Sequence, residues 1–446
     1  MRMNVPEHVN FIIDRLYDSG FEAYAVGGCV RDTLLGRNPQ DWDITTSATP
    51  QQVKKLFERT IDTGIEHGTV TVMLDHVGYE VTTYRIDGEY EDSRHPKDVT
   101  FTSNLIEDLK RRDFTINAMA YNDKDGLIDA FDGIGDLNNG IIRCVGNPLE
   151  RFSEDALRML RAVRFAAQLG FSIEENTKRA IEELAPTIEK ISAERIQIEL
   201  VKLLVSAHPE EIKTVYELGL SRIILPEFDR MMQTPQNNKH HIFSVGEHTI
   251  QTLMNVRADK ILRLTMLFHD VAKPVCRSTD EEGQEHYYKH PKVGAEMTKD
   301  ILKRLKFDND TIKRTCKLIE AHDDRPQISS RNIRRAINRI GVEQFPDIFE
   351  VKRADILGQS EYKKKEKLAY VDEYERTYEE IISQNQCIQK KDLQINGRDL
   401  IAMGMKPGKQ MGEVIDQLFE SVLENPELND REKLIELAHK KMTSFI

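Results

Sequence analysis

The sequence predicts an α+β protein: a small mixed α/β head followed by an all-helical remainder. Three observations lead there. Short apolar runs rich in Val, Thr and Tyr, separated by Gly and Asp turns, crowd the first ~125 residues. From Pro148 onward, apolar residues recur at helical spacing almost without interruption. A chain of 446 residues is also too long for one hydrophobic core, so roughly two to four domains are expected.

The head opens with its most informative stretch. Tyr24-Ala25-Val26 reads as a short strand ending in Gly27-Gly28, and a helix carrying Arg31 follows. Glycines at a strand-to-helix turn let backbone N–H groups approach a phosphate. Asp41 and Asp43 come next, two apart, so on an extended strand both carboxylates aim at one face. Carboxylates that close repel unless a cation neutralises them, and a hard divalent ion such as Mg²⁺ suits oxygen ligands. Each part alone is common as a turn or a solvated loop. Together they describe a nucleotidyl transfer site, with glycines on the triphosphate and acids on the metal.

Further along the head, residues 69–74 and 79–85 read as strands joined by a turn over 75–78. Glu80, on the second strand, is the candidate third carboxylate; the alternative is an ordinary exposed strand residue. The cluster Lys110-Arg111-Arg112-Asp113-Phe114-Thr115-Ile116-Asn117-Ala118 follows. Arg111 and Arg112 offer bidentate geometry for phosphate oxygens. Asp113 and Asn117, four apart, would share a helix face and bond ribose hydroxyls or the triphosphate.

The helical remainder starts with residues 151–169, expected as one helix. On it Asp155 and Arg158 are neighbours, forming either an ion pair worth about 0.2–0.5 kcal/mol or a base reader. Cytosine and adenine both present an amino donor beside a ring-nitrogen acceptor. A carboxylate accepts from the first and a guanidinium donates to the second. Guanine and uracil present the opposite order, so such a pair rejects them. Ser192-Ala193-Glu194-Arg195 reads as a later helix start. Lys363-Lys364-Lys365 reads as a solvated helix face rather than an RNA grip.

Composition excludes several classes. No apolar run approaches the ~18–20 residues that span a bilayer, and the first residues lack the apolar core of a signal peptide. Five cysteines, odd in number and without metal-type spacing, fit a reduced, cytoplasmic setting. A net charge of −12 argues against indiscriminate nucleic-acid binding, while a local basic surface could still take RNA.

On these residues the chain resembles the class II tRNA nucleotidyltransferases, the CCA-adding enzymes, which share a superfamily with bacterial poly(A) polymerases. The Gly27-Gly28…Arg31-Asp32 and Asp41-Trp42-Asp43 segments look like the family's first motif, and Arg111-Arg112-Asp113-Phe114…Asn117-Ala118 like its second. Asp132-Gly133 looks like its hinge-like third motif, Glu154-Asp155…Arg158 like its amino-acid template, and residues 192–196 like its last, structural motif. The resemblance implies a nucleotidyltransferase head with a curved sheet (1–140) and an elongated helical neck carrying the base-reading helix (141–205). A helical body (206–330) and a tail that binds tRNA (331–446) would follow. It implies that Asp41 and Asp43, with Glu80, are catalytic and that the aspartates hold Mg²⁺. Gly27, Gly28, Arg31, Arg111, Arg112, Asp113, Asn117, Glu154, Asp155 and Arg158 would bind nucleotide. The implied reaction adds C, C and A to the 3′ end of tRNA from CTP and ATP, without a template, releasing pyrophosphate. Residues 85–96, including Arg85, Asp92 and Arg94, look like the family's flexible loop that helps switch from C to A. An A-adding enzyme or a poly(A) polymerase is the alternative.

A second set of residues resembles the HD superfamily, in which His…His-Asp…Asp on helices surrounds a metal: Gly246-Glu247-His248, then Leu267-Phe268-His269-Asp270, then Ala321-His322-Asp323. That resemblance implies His248, His269, Asp270 and Asp323 as ligands, with His290 at an additional position. Mn²⁺, Fe²⁺, Ni²⁺ or Mg²⁺ would suit imidazole and carboxylate donors. It implies a phosphohydrolase activity in the body. It also opens a reading of another class, an HD hydrolase or nucleotide sensor whose head merely binds nucleotide.

Overall fold

The computed structural model describes residues 2–88, 99–236, 242–282, 284–384 and 386–442. The chain folds as two compact units, Met1–Asp229 and Arg230–Ile446. The expected Asp92 and Arg94 of the loop lie outside the described residues.

The first unit is organised by strands β1 (Ala23–Val26), β2 (Ile44–Thr46), β3 (Thr60–Gly64), β4 (Thr69–Leu74) and β5 (Val77–Thr83). A short ladder of β6 (Arg85–Asp87) with β7 (Val99–Phe101) follows, then β8 (Met119–Asn122) and β9 (Gly126–Asp129). Seven of these form one mixed, curved sheet in the order β3-β4-β5-β2-β1-β8-β9. Only the β2–β5 pair is parallel. All four residues of the central strand β1 are buried, as its apolar run demands. Between β4 and β5, Leu74 faces Val77 across Asp75 and His76, whose φ values are 46° and 67°. Two residues at positive φ make a turn whose twist matches the strands. The second strand therefore starts at Val77, two residues before the expected 79.

Helices α1 (Glu7–Asp18), α2 (Gly28–Leu34), α3 (Pro50–Leu56), α4 (Leu105–Lys110) and α5 (Gly133–Asn139) surround this sheet. Beyond it come α6 (Pro148–Glu154), α7 (Leu157–Leu169), α8 (Glu175–Leu184) and α9 (Ala193–Leu204). The expected single helix over 151–169 is thus two. Asp155, at φ −142° and ψ 101°, breaks it, and its carboxylate caps α7 by accepting from the Leu157 N–H at 3.1 Å. Three short helices, α10 (Ile212–Glu217), α11 (Ser221–Ile224) and α12 (Pro226–Met232), lead to the second unit.

The second unit is helical: α13 (Val245–Met254), α14 (Lys260–Phe268), α15 (Lys273–Cys276), α16 (His290–Arg304), α17 (Asn309–Ala321), α18 (Ser330–Ile340) and α19 (Asp347–Leu357). Then come α20 (Lys364–Ser383), α21 (Gly397–Ala402), α22 (Lys409–Glu424) and α23 (Arg431–Met442). Every residue of α14 after Lys260 is buried, so this helix sits at the centre of its unit. Lys363 and Lys365 are exposed where α20 begins, as a solvated face requires. The last three helices close a separate small core around Leu400, Leu418 and Phe419. No helix among the described residues is long and apolar enough to cross a membrane, and all five cysteines are unpaired.

Candidate functional site

The head site follows from strand register. Gly27 stands at φ 82° as the N-cap of α2, and its N–H donates to the Met119 carbonyl at 3.1 Å. A Cβ there would also come within 3.0 Å of Arg112 Nη1, so both conformation and space call for glycine. Asp41 and Asp43 lie just before β2 rather than inside it. The ladder nevertheless reaches them, because the Val26 N–H donates to the Asp43 carbonyl at 3.0 Å. The antiparallel pairing of β1 with β2 therefore sets the acid pair beside the glycine corner. On the other side, Ile44 pairs with Val81 in parallel, which carries Glu80 alongside Asp43.

The three acids share one electrostatic field. Burial pushes the Asp43 carboxyl up; Arg112 beside it pulls down and Asp41 pushes up again. Burial, then Asp43, then Asp41 raise Glu80. Asp41, Asp43 and Glu80 are exposed side chains by surface area, and an all-oxygen donor set of this kind suits a hard divalent cation.

The neighbouring residues are held by protein partners. Arg31 is buried: its Nη1 donates to Asn117 Oδ1 at 2.7 Å, its Nε and Nη2 to Asp32, and its guanidinium lies 5.1 Å from the Phe165 ring centroid. Arg111 and Arg112, expected to grip phosphates, both pair with the fully buried Asp108, at 2.9 and 3.5 Å. Asp108 was not foreseen; its signal was a carboxylate three and four residues before two arginines. Asp113 and Asn117 do meet, Nδ2 to Oδ1 at 3.2 Å, but across a 3₁₀ turn (Thr115–Asn117) rather than a helix. The other oxygen of Asp113 takes Arg161 Nε and Nη2 at 2.9 and 2.6 Å. Burial raises this carboxyl, but Arg161 outweighs it and holds Asp113 at about 2.

The expected reader pair is not an ion pair of its own. Arg158 Nη1 donates to Glu154 at 2.6 Å and its Nη2 to the Arg111 carbonyl at 3.1 Å. Asp155 is gripped by both terminal nitrogens of Arg195, at 2.7 and 3.2 Å. The two side chains are therefore oriented separately, one by the segment before it and one by α9. Glu154 also pairs with Arg151.

In the second unit, a dense cluster gathers His248 on α13, His269 and Asp270 after α14, His290 on α16, His322 after α17 and Asp355 on α19. The four imidazoles and Asp270 are buried. His248 Nε2 lies 3.0 Å from Asp355 Oδ1 and 3.2 Å from His269 Nε2. His248-His269-Asp270 and Asp270-His290-His322 each bring three ligand-type donor atoms within 4.8 Å of one another, and Asp355 Oδ1 lies 3.0 and 3.7 Å from the Nε2 atoms of His248 and His269. Burial and its imidazole neighbours push His322 down to about 4; burial also lowers His269, but Asp270 and Asp355 outweigh it and raise that imidazole to about 10. Asp323 is not in this cluster. Its side chain is 44% exposed and pairs with Arg325 at 3.4 Å. Asp355 takes the place expected for it. No local signal singles it out, because α19 carries five charged residues, Asp347, Glu350, Lys352, Arg353 and Asp355.

Comparison with known proteins matches residues 23–143 to the Poly A polymerase head domain, 170–232 to the Probable RNA and SrmB-binding site of polymerase A, and 290–438 to tRNA nucleotidyltransferase domain 2. A CCA-adding enzyme of Ligilactobacillus salivarius is 36% identical, covering 96% of this chain and 95% of the relative. One of Enterococcus faecalis is 37% identical with the same coverage. The crystal structure of the Bacillus stearothermophilus CCA-adding enzyme in complex with CTP superposes with a TM-score of 0.73 at 29% identity, over 99% of each chain. Full-length likeness of this kind, joined to the glycine corner and its three acids, places the chain in the CCA-adding family of tRNA nucleotidyltransferases.

Proposed function

We propose that Asp41, Asp43 and Glu80 hold Mg²⁺ at the mouth of the glycine corner and that this chain completes tRNA ends there by adding C, C and A. The observation that carries the reading is the β2 register, which sets Asp43 between Val26-Gly27 on one side and Glu80 on the other. When bound, Mg²⁺ neutralises the triphosphate and stabilises both the attacking and the leaving oxygen of an in-line displacement. The residues do the rest. The Gly28 N–H, at the start of α2, faces the phosphates, and Gly27, whose own N–H is taken by the Met119 carbonyl, leaves them room. Asp155 accepts from the base amino group and Arg158 donates to the ring nitrogen. The tRNA 3′-oxygen bonds to the α-phosphorus as the bond to pyrophosphate breaks, and the hydroxyl proton passes to solvent. Positioning and charge neutralisation supply most of the acceleration. A reducing, cytoplasmic setting suits five unpaired cysteines.

The test is incubation of the purified protein with tRNAs truncated before the first C, after it and after the second, with CTP and ATP. Completion of all three is expected. Extension of the last alone would indicate an A-adding enzyme, and long A tails a poly(A) polymerase. Extension that survives Asp41→Ala with Asp43→Ala would remove the head from catalysis.

A further inference from the structure

Asp108, on α4, is fully buried, and it gathers groups from three separate stretches of the head. Its Oδ1 accepts from Arg111 Nε at 2.9 Å and from the Arg85 N–H at 3.3 Å. Its Oδ2 accepts from Thr45 Oγ1 at 3.2 Å and lies 3.5 Å from Arg112 Nη2. Arg85 opens β6, Thr45 lies in β2 two residues after Asp43, and the two arginines follow α4. A buried carboxylate persists only when it is paired and hydrogen-bonded, and this one is both. Burial raises its pKa, but Arg111 and then Arg112 outweigh burial and hold the carboxyl below its usual range.

Arg112 stands between this carboxylate and the acid pair. Its Nη1 lies over the glycine corner, 3.0 Å from where a Cβ of Gly27 would stand. Asp108 and, more weakly, Asp43 both attract its charge, and the ion pair it makes is with Asp108. Its Nε is buried without a hydrogen-bond partner. A loose guanidinium beside a metal ligand is a competitor, because it neutralises the carboxylate that the cation needs. Arg111 and Arg112 share one buried carboxylate. Were that carboxylate neutral, the next acid in line for Arg112 would be Asp43.

We propose that Asp108 is a positioning residue that holds Arg112 off Asp43, so that the acid pair stays open to its cation while the guanidinium stays beside the glycine corner. The inference rests on the reading that Asp41 and Asp43 hold the metal. Asp108 touches neither nucleotide nor ion; it acts through Arg112. Thr45 and the Arg85 N–H fix the carboxylate, so its hold on Arg112 is set by the same strand that follows Asp43. Any shift of β2 then moves the acid pair and the restraint on its competitor together.

The test uses the full chain and reads the site without turnover. Trp42 lies between Asp41 and Asp43 in sequence, so Mn²⁺ bound by the acids quenches its emission. Asp108→Asn should raise the Mn²⁺ concentration for half-quenching about 10-fold, because the released guanidinium occupies Asp43. Asp108→Asn with Arg112→Gln should return it to within about threefold of the parent, since the competitor is gone. Arg112→Gln alone, which keeps the buried Asp108–Arg111 pair, should quench at lower Mn²⁺ than the parent; this variant decides the matter if circular dichroism shows Asp108→Asn unfolded. In tRNA extension, the Mg²⁺ for half-maximal CTP incorporation should rise in Asp108→Asn by a similar factor, with kcat at saturating Mg²⁺ near the parent's. A merely structural loss would lower kcat at every Mg²⁺ concentration. An unchanged midpoint in Asp108→Asn, a double variant that quenches like the single, or a raised midpoint in Arg112→Gln would overturn the proposal. Quenching and extension that both survive Asp41→Ala with Asp43→Ala would instead overturn the acid-pair reading beneath it.

Discussion

Asp113→Asn isolates the physical link between the head and α7. The native carboxylate is 8% exposed and is held at about 2 rather than 3.8. At ~1.4 kcal/mol per tenfold change, that shift stabilises the fold by about 2 kcal/mol at neutral pH. The sign follows from a depressed carboxyl: the stabilisation is complete above about pH 4 and is lost as pH falls through the folded value near 2. Asparagine can still accept from the Phe114 N–H and from Asn117, bonds made at 2.9 and 3.2 Å in the native chain. It brings an amide donor or a neutral oxygen to Arg161 and leaves that cation with Glu199 at 3.6 Å. The single tryptophan, Trp42, sits between Asp41 and Asp43, so its fluorescence reports the first unit alone. Guanidinium unfolding followed at Trp42 should place the variant about 2 kcal/mol below the parent at pH 7 and about 1 kcal/mol below at pH 3. A difference under ~0.5 kcal/mol at pH 7, or one unchanged at pH 3, would refute the reasoning.

The other expectations concern chemistry, selection and packing. Asp41→Ala or Asp43→Ala should lower incorporation of labelled CTP and ATP by about 10³-fold or more, with circular dichroism unchanged. Asp155→Ala and Arg158→Ala should each narrow the preference for CTP and ATP over UTP and GTP by about 10- to 100-fold, read as ratios of kcat/KM. Gly358→Ala should cost the second unit about 1–3 kcal/mol in thermal unfolding, because the new methyl would lie 2.8 Å from Thr252 Cγ2 and 3.2 Å from His248 Nδ1.

Much of the head was legible because its signals are local. Gly27 announces a positive φ, and β-branched runs announce the strands around it. What was hidden depended on distant partners. The break at Asp155 has a local cap, the Leu157 N–H on its carboxylate, but its partner Arg195 lies forty residues on. Arg31, Arg111 and Arg112 read as phosphate ligands because an arginine in isolation cannot reveal a buried acid such as Asp108. Asp323 reads as a ligand because it adjoins a histidine in sequence. Ligands are chosen by which helix faces the centre, and α19 comes late in the chain with no motif of its own. The tail's helix starts were readable from caps: Asn396 accepts from the Arg398 N–H at 2.9 Å.

Two arginines on α7 reach back to consecutive parts of one short segment, Arg158 to the Arg111 carbonyl and Arg161 to the Asp113 carboxylate. The helix proposed to choose the base is thereby bolted to the same short segment whose Arg112 faces Asp43, one of the acids proposed to join it. Accuracy and speed cannot then be tuned apart: slack introduced anywhere along that segment should degrade both in proportion, and a faster version of this enzyme should have to arise from changes elsewhere.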